Sequence, residues 1–222
     1  MAHPRMSVRA EERAAKREAL SGAGPTPEGH EVARNPGAGA RFALFGEVLI
    51  VGLLITVVSL PLVTLPAALA AGIRHLRRFA AAEESHVRTF FRDLRRALPG
   101  GLVLGLIAVV ATLVLLLDID LARSGFLPGG PVIEAVGWAG LAATALVVVT
   151  SATLWTPETG WRAAIRATPR ALAADPAGAA YLLATVVFAV VVTWVLLPLV
   201  IAALGCTALA AMAVPVRPRR RA

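Results

Sequence analysis

Between Pro176 and Val216 the chain has no Asp, Glu, Lys or Arg. Three more uncharged runs precede that stretch: Val48 to Ile73, Ala97 to Leu117, and Ala135 to Pro157. A bilayer core takes about 20 apolar residues of helix, so these gaps in charge exclude an ordinary soluble helical domain, whose helices alternate polar and apolar faces. Cysteine is nearly missing as well. Cys206 stands alone, which excludes an intramolecular disulfide and a cysteine-based metal site. His3, His30, His75 and His86 have no ligand-like spacing, so no metal and no cofactor is expected. Nor does the sequence hold a nucleophile–base pair or a phosphate-cradling Gly loop, and the expectation is a protein that is not an enzyme. About 40 polar residues precede the first apolar run, too many for a short cleavable leader, so the first span is expected to act as an uncleaved anchor.

What is present is apolar and basic. Hydrophobic residues make up 57% of the 222 residues, with a mean hydropathy of +0.72, above the roughly 45–50% of soluble domains. The formal net charge is +8. Apart from Arg123, the basic residues fall in the N-terminal arm, segments 74–96 and 162–170, and the C-terminal tail. Basic clusters beside apolar spans follow the positive-inside rule and suit anionic headgroups, so the expected partner is the lipid bilayer and not nucleic acid.

The expected fold is all-α: a polytopic transmembrane bundle of about five membrane helices, with a Pro-broken first block and interfacial amphipathic helices. Residues 1–41 read as a disordered polar arm. Residues 42–215 read as the transmembrane domain, with segments at about 42–60, a short broken helix 62–73, then 100–118, 132–155, 178–196 and 199–215. Residues 216–222 form a basic tail. Pro61 and Pro66 interrupt the first block, and Ser59 and Thr64 are placed to satisfy the carbonyls this frees. With the Arg-rich segments and the tail all cytoplasmic, block 42–73 must enter and return. A tilted or re-entrant hairpin is favoured, with a single span as the alternative. In 74–98, Val87, Phe90, Phe91, Leu94 and Leu98 recur at helical spacing and the arginines lie mainly elsewhere, which suits an interfacial helix or a surface helix packed on the bundle. In 156–176, Arg162, Arg166 and Arg170 form one stripe beside Trp161, Ile165 and Leu172, with Pro169 as a kink point.

The run Gly46-Glu-Val-Leu, followed by Leu60-Pro61-Leu-Val-Thr64-Leu-Pro66-Ala-Ala-Leu-Ala, resembles the signature of the YesL-like family of bacterial integral membrane proteins of unknown function. The element Thr89-Phe90-Phe91-Arg92-Asp93-Leu94-Arg95 and the span ending at Leu117-Asp118 are similar to the aromatic-basic element and the aspartate-terminated span of that family. The chain departs from it at Leu65-Pro66, where many members have Gly-Pro after the threonine. The resemblance covers roughly 42–215. It implies a multi-pass protein of the bacterial plasma membrane with an accessory role in carbohydrate uptake, and it supplies no catalytic or binding residues.

The residues themselves offer several candidates. Glu47 lies in the first apolar block, where it reads either as a coupled carboxylate facing the bundle interior or as an interfacial residue paired with Arg41 or another arginine. Pro61 and Thr64 mark the break, a feature that lines substrate sites in some transporters. Asp118, with Asp120 and Glu134, reads as a span end or a shallow cation or sugar-hydroxyl site. Gly101-x-x-x-Gly105 fits close helix packing, within the chain or in self-association. Arg88, Arg92 and Arg95 are candidates for binding a partner, for which a sugar-permease subunit is the expectation. The functional expectation is thus a non-enzymatic accessory or regulatory membrane protein; the alternative is a small oligomeric transporter or channel.

Overall fold

The computed structural model describes residues 38–83, 86–124 and 128–217, and every regular element among them is helical. The helices are α1 (Ala38–Val58), α2 (Leu65–Ala80), α3 (Val87–Arg123), α4 (Gly130–Leu154), α5 (Gly160–Ala174), α6 (Pro176–Val195) and α7 (Val200–Ala213), with 3-10 turns at Leu197–Leu199 and Val214–Val216. Most of the polar arm expected at 1–41, up to residue 37, and the tail beyond 217 lie outside the described residues. The protein is an all-α transmembrane bundle. Val87–Arg123, Gly130–Leu154, Pro176–Val195 and Leu197–Val216 are each long and apolar enough to cross a bilayer; the apolar part of α1, Phe42–Val58, is shorter. Leu113, Leu117, Val136, Phe188 and Trp194 point outward from these spans, as side chains solvated by lipid do.

α1 and α2 form a hairpin. α1 ends at Val58, Leu62 takes a left-handed φ of 55°, and α2 starts after Thr64 with Pro66 in its first turn, where the missing N–H costs no helical bond. The freed carbonyls find partners: the Thr64 hydroxyl donates to Val58 O, and the Ser59 hydroxyl to Thr56 O. The second helix of the hairpin is longer than the expected 62–73, because its alanines are enclosed on all sides. Ala67, Ala68, Ala70, Ala71, Ile73 and Leu76 have no exposed surface, and their small size lets α1, α3, α4 and α7 all pack on α2.

The depth of the tip follows from its contact with α3. A Cβ on Gly105 would overlap the Val63 carbonyl, and one on Gly101 would come within 2.8 Å of Ala67 Cβ. The Gly101–Gly105 face is therefore filled by the hairpin of the same chain. The uncharged part of α3, Ala97–Leu117, spans roughly 32 Å at 1.5 Å per residue, close to one hydrocarbon core. Gly105 lies eight residues past Ala97, about 12 Å into that core. The tip stops short of the bilayer midplane, with Leu60 and Leu62 exposed beside it.

Segment 74–98 is not one helix. α2 runs on to Ala80 and closes in a Schellman motif, in which Ala82 takes φ 56°, its N–H donates to Phe79 O, and the Glu83 N–H donates to Arg78 O. Val87 then opens the 37-residue α3, which passes through Pro99 into the membrane. Of the expected apolar stripe, Phe90 and Leu94 are buried, whereas Val87 and Phe91 are exposed. In α5 the packed face is Trp161, Ala164 and Thr168, and Ile165 points outward. That face is held by polar contacts: the Trp161 indole donates to Ala97 O of α3, and Thr168 meets Ser151 of α4 hydroxyl to hydroxyl at 3.0 Å.

Candidate functional site

The last turns of α2 carry Arg74, His75, Arg77 and Arg78 on a helix enclosed by others, so each polar head must find a partner. Asp93 of α3 supplies the first. Its side chain is 1% exposed and accepts from Arg74 Nε at 3.2 Å and from Arg78 Nη2. Arg77 Nη2 donates to Thr153 O of α4 at 2.9 Å. His75 Nε2 pairs with the Glu47 carboxylate of α1, and the Phe90 ring meets the imidazole edge-on at 6.5 Å. The Arg74 guanidinium lies 5.9 Å from the centroid of Trp155, which stacks at 5.8 Å on Trp161, and the Trp161 indole donates to Ala97 O at 2.7 Å. One charged collar thus joins α1 through α5 at the basic end of the bundle.

Depth decides how Glu47 is to be read. His75 is twelve residues from Val63, about 18 Å back along α2, and so lies about 6 Å outside the core edge that Ala97 marks. Glu47, bonded to it, sits at headgroup level on the inside of the bundle. Among the described residues its partner is His75.

The other candidates are scattered. Pro61 and Thr64 meet at the hairpin tip, where they shape the turn. Asp118 lies at the far end of α3, exposed; Asp120 is exposed too, and a two-residue offset on a helix turns the two carboxylates to different sides. Glu134 does not complete an acidic cluster there, because Arg123 Nε bonds it at 2.8 Å and the Trp138 indole donates to it at 3.4 Å. Among the described residues no group of three or more His, Cys, Asp or Glu is arranged to hold a metal.

Arg88, Arg92 and Arg95 do come together. With Val87, Phe91 and Arg96 they line an open groove of about 710 Å³ on the outer face of α3. Val87 and Phe91 are 46% and 44% exposed there. The groove lies on the part of α3 that precedes the apolar span, with Arg88 about 13 Å and Phe91 about 9 Å beyond the core edge. A headgroup layer is only about 5–7 Å deep. An average tilt of about 20° would shorten these distances by less than a tenth. The outer half of the groove therefore stands in water.

Three residues that sequence patterning does not single out hold the collar together: Asp93, Arg74 and Arg78. Asp93 did leave a signal, since 90, 93, 94 and 97 share one helical face and three of the four are apolar. No protein-family model, curated protein or solved structure matches this chain.

Proposed function

We propose that this is a non-enzymatic accessory membrane protein that holds a partner through the α3 groove at Arg88, Arg92 and Arg95. The observation that supports this is the pairing of exposed Val87 and Phe91 with four exposed arginines in a groove whose outer half, at Arg88 and Phe91, stands past the headgroups. A groove mixing apolar and cationic groups in water suits an acidic amphipathic segment of another protein. The resemblance to the YesL-like family directs the choice of partner to a sugar-permease subunit and the membrane to the bacterial plasma membrane. In this reading the basic end and the C-terminus face the cytoplasm, as the positive-inside rule requires. The transporter reading draws less support, because Glu47 lies at headgroup depth and not at the midplane where coupled sites form.

The test is affinity purification of the tagged protein from its own membranes, followed by mass spectrometry. Stoichiometric recovery of a permease subunit, lost in the R88E/R92E/R95E variant while membrane insertion persists, is the expected result. Unchanged co-purification of the triple variant would overturn the assignment of the groove.

A further inference from the structure

We infer that the arginine stripe of α5 is a binding site for acidic phospholipid headgroups, separate from the α3 groove. α5 connects the end of one span, α4, to the start of another, α6, so both its ends are held at the membrane surface. Its packing fixes the depth. Trp161 bonds Ala97 O, at the core edge of α3, and Thr168 meets Ser151, three residues before α4 ends. The buried face is Trp161, Ala164 and Thr168, which leaves Arg162, Arg166 and Arg170 on the opposite side, all exposed.

These three positions advance by only about 40° each around the helix, so their guanidinium groups form one row at headgroup height. α5 itself contains no carboxylate. The carboxylates flanking it are engaged elsewhere. Asp175 accepts from Arg217 Nη2 at 2.6 Å and caps the Gly178 N–H at 2.9 Å. The Thr156 hydroxyl, with Arg74 and Arg96 farther off, holds the Glu158 carboxyl below the usual carboxylate range. Among the described residues no carboxylate stands within 4.0 Å of Arg162, Arg166 or Arg170. A row of unneutralised guanidinium groups at the depth of lipid phosphates has its complement there: the phosphodiester of an anionic lipid, which a planar fork can bond bidentately. The α3 groove differs because its outer half stands past the headgroups.

The experiment uses the full chain in mixed phosphatidylcholine–phosphatidylglycerol nanodiscs, with native mass spectrometry reading which lipids stay bound. Wild-type protein is expected to retain phosphatidylglycerol preferentially. A basic residue near the surface contributes about fivefold in binding to an acidic membrane, so R166Q should weaken retention about fivefold and R162Q/R166Q/R170Q by up to about a hundredfold. R162K/R166K/R170K should keep most of the preference, and R88Q, which lies past the headgroups, should leave it intact. No phosphatidylglycerol preference in wild type overturns the inference. So does a preference that survives the triple Gln change, which would leave the stripe to a protein partner. If the triple variant fails to insert, R166Q alone carries the test, and unchanged retention by it counts equally against the site.

Discussion

Replacing Asp93 with Asn keeps the size of the side chain and removes its charge. In the native bundle that carboxylate is 1% exposed and serves two guanidinium groups, of Arg74 and Arg78, which are 23% and 15% exposed. Removing one member of a buried ion pair costs about 3–5 kcal/mol, because the remaining charge is left without a counter-ion in a poorly solvated place. The arginines keep some access to solvent, which moves the expected cost to the lower end, about 3 kcal/mol. For a domain of this size each kcal/mol shifts the midpoint by roughly 2–4 °C, so D93N should unfold about 6–12 °C below wild type. The assay is heating of detergent-solubilised protein, with the folded fraction read by size-exclusion fluorescence.

Asp118→Asn is the matched control. Asp118 is exposed at the other end of α3, and its loss should cost within about 0.5 kcal/mol. A second arm separates charge from packing. Adding Arg78→Met to D93N removes one of the orphaned cations and should recover about 1–2 kcal/mol. A D93N midpoint within about 2 °C of wild type would refute the view that this carboxylate ties α2 to α3.

Three further outcomes are expected. Gly52→Ala and Gly205→Ala should each cost about 1–3 kcal/mol, because a Cβ at Gly52 overlaps Ile201 O and one at Gly205 overlaps Val48 O, whereas Gly46→Ala meets nothing within 4 Å and should be neutral or stabilising in the same thermal assay. Ala82→Gly should raise stability by about 1 kcal/mol, since a left-handed φ costs an L-residue about 1–2 kcal/mol that glycine avoids, less glycine's larger entropy loss. With Cys206 first changed to Ala, Leu62→Cys should resist a membrane-impermeant maleimide from both faces of sealed vesicles and Ser124→Cys should react from one face; ready labelling at position 62 would contradict a tip held about 12 Å inside the core.

The spans were legible because each depends on a local property. Some 20 residues without charge suffice to mark α3, α4, α6 and α7, and prolines at 61 and 66 mark the break in the first block. What was hidden depends on chain neighbours far apart in sequence. The Ala80-Ala81-Ala82 turn carries no glycine, so a left-handed cap there leaves no trace in composition, and 74–98 reads as continuous. Arg74 and Arg78 look like solvated charges until α2 and α3 fold antiparallel and bring Asp93 between them. His75 reads as a solvated histidine until Glu47 arrives from 28 residues away. Ile165 suits the packed face of α5 on hydrophobicity alone, yet the bonds of Trp161 to Ala97 O and of Thr168 to Ser151 turn a different face inward.

The Ala-rich stretch of α2 acts as a length gauge between two environments that tolerate opposite chemistry. Its start is pinned by Gly105, whose missing side chain admits Val63 about 12 Å into the core, where a charge could not be held cheaply. Arg74 follows eleven residues later, about 16 Å back along the helix, and so emerges some 4–5 Å beyond the core edge. Asp93, four residues before Ala97 on α3, stands about 6 Å beyond the same edge. The two heights agree within about 2 Å, the reach of a side chain. An inserted residue between Thr64 and Ile73 would turn everything after it by about 100°, carrying Arg74 and Arg78 off the face that meets Asp93 and swinging His75 away from Glu47. The depth of the hairpin and the pairing of its charges are therefore one constraint, set by the number of small residues between them.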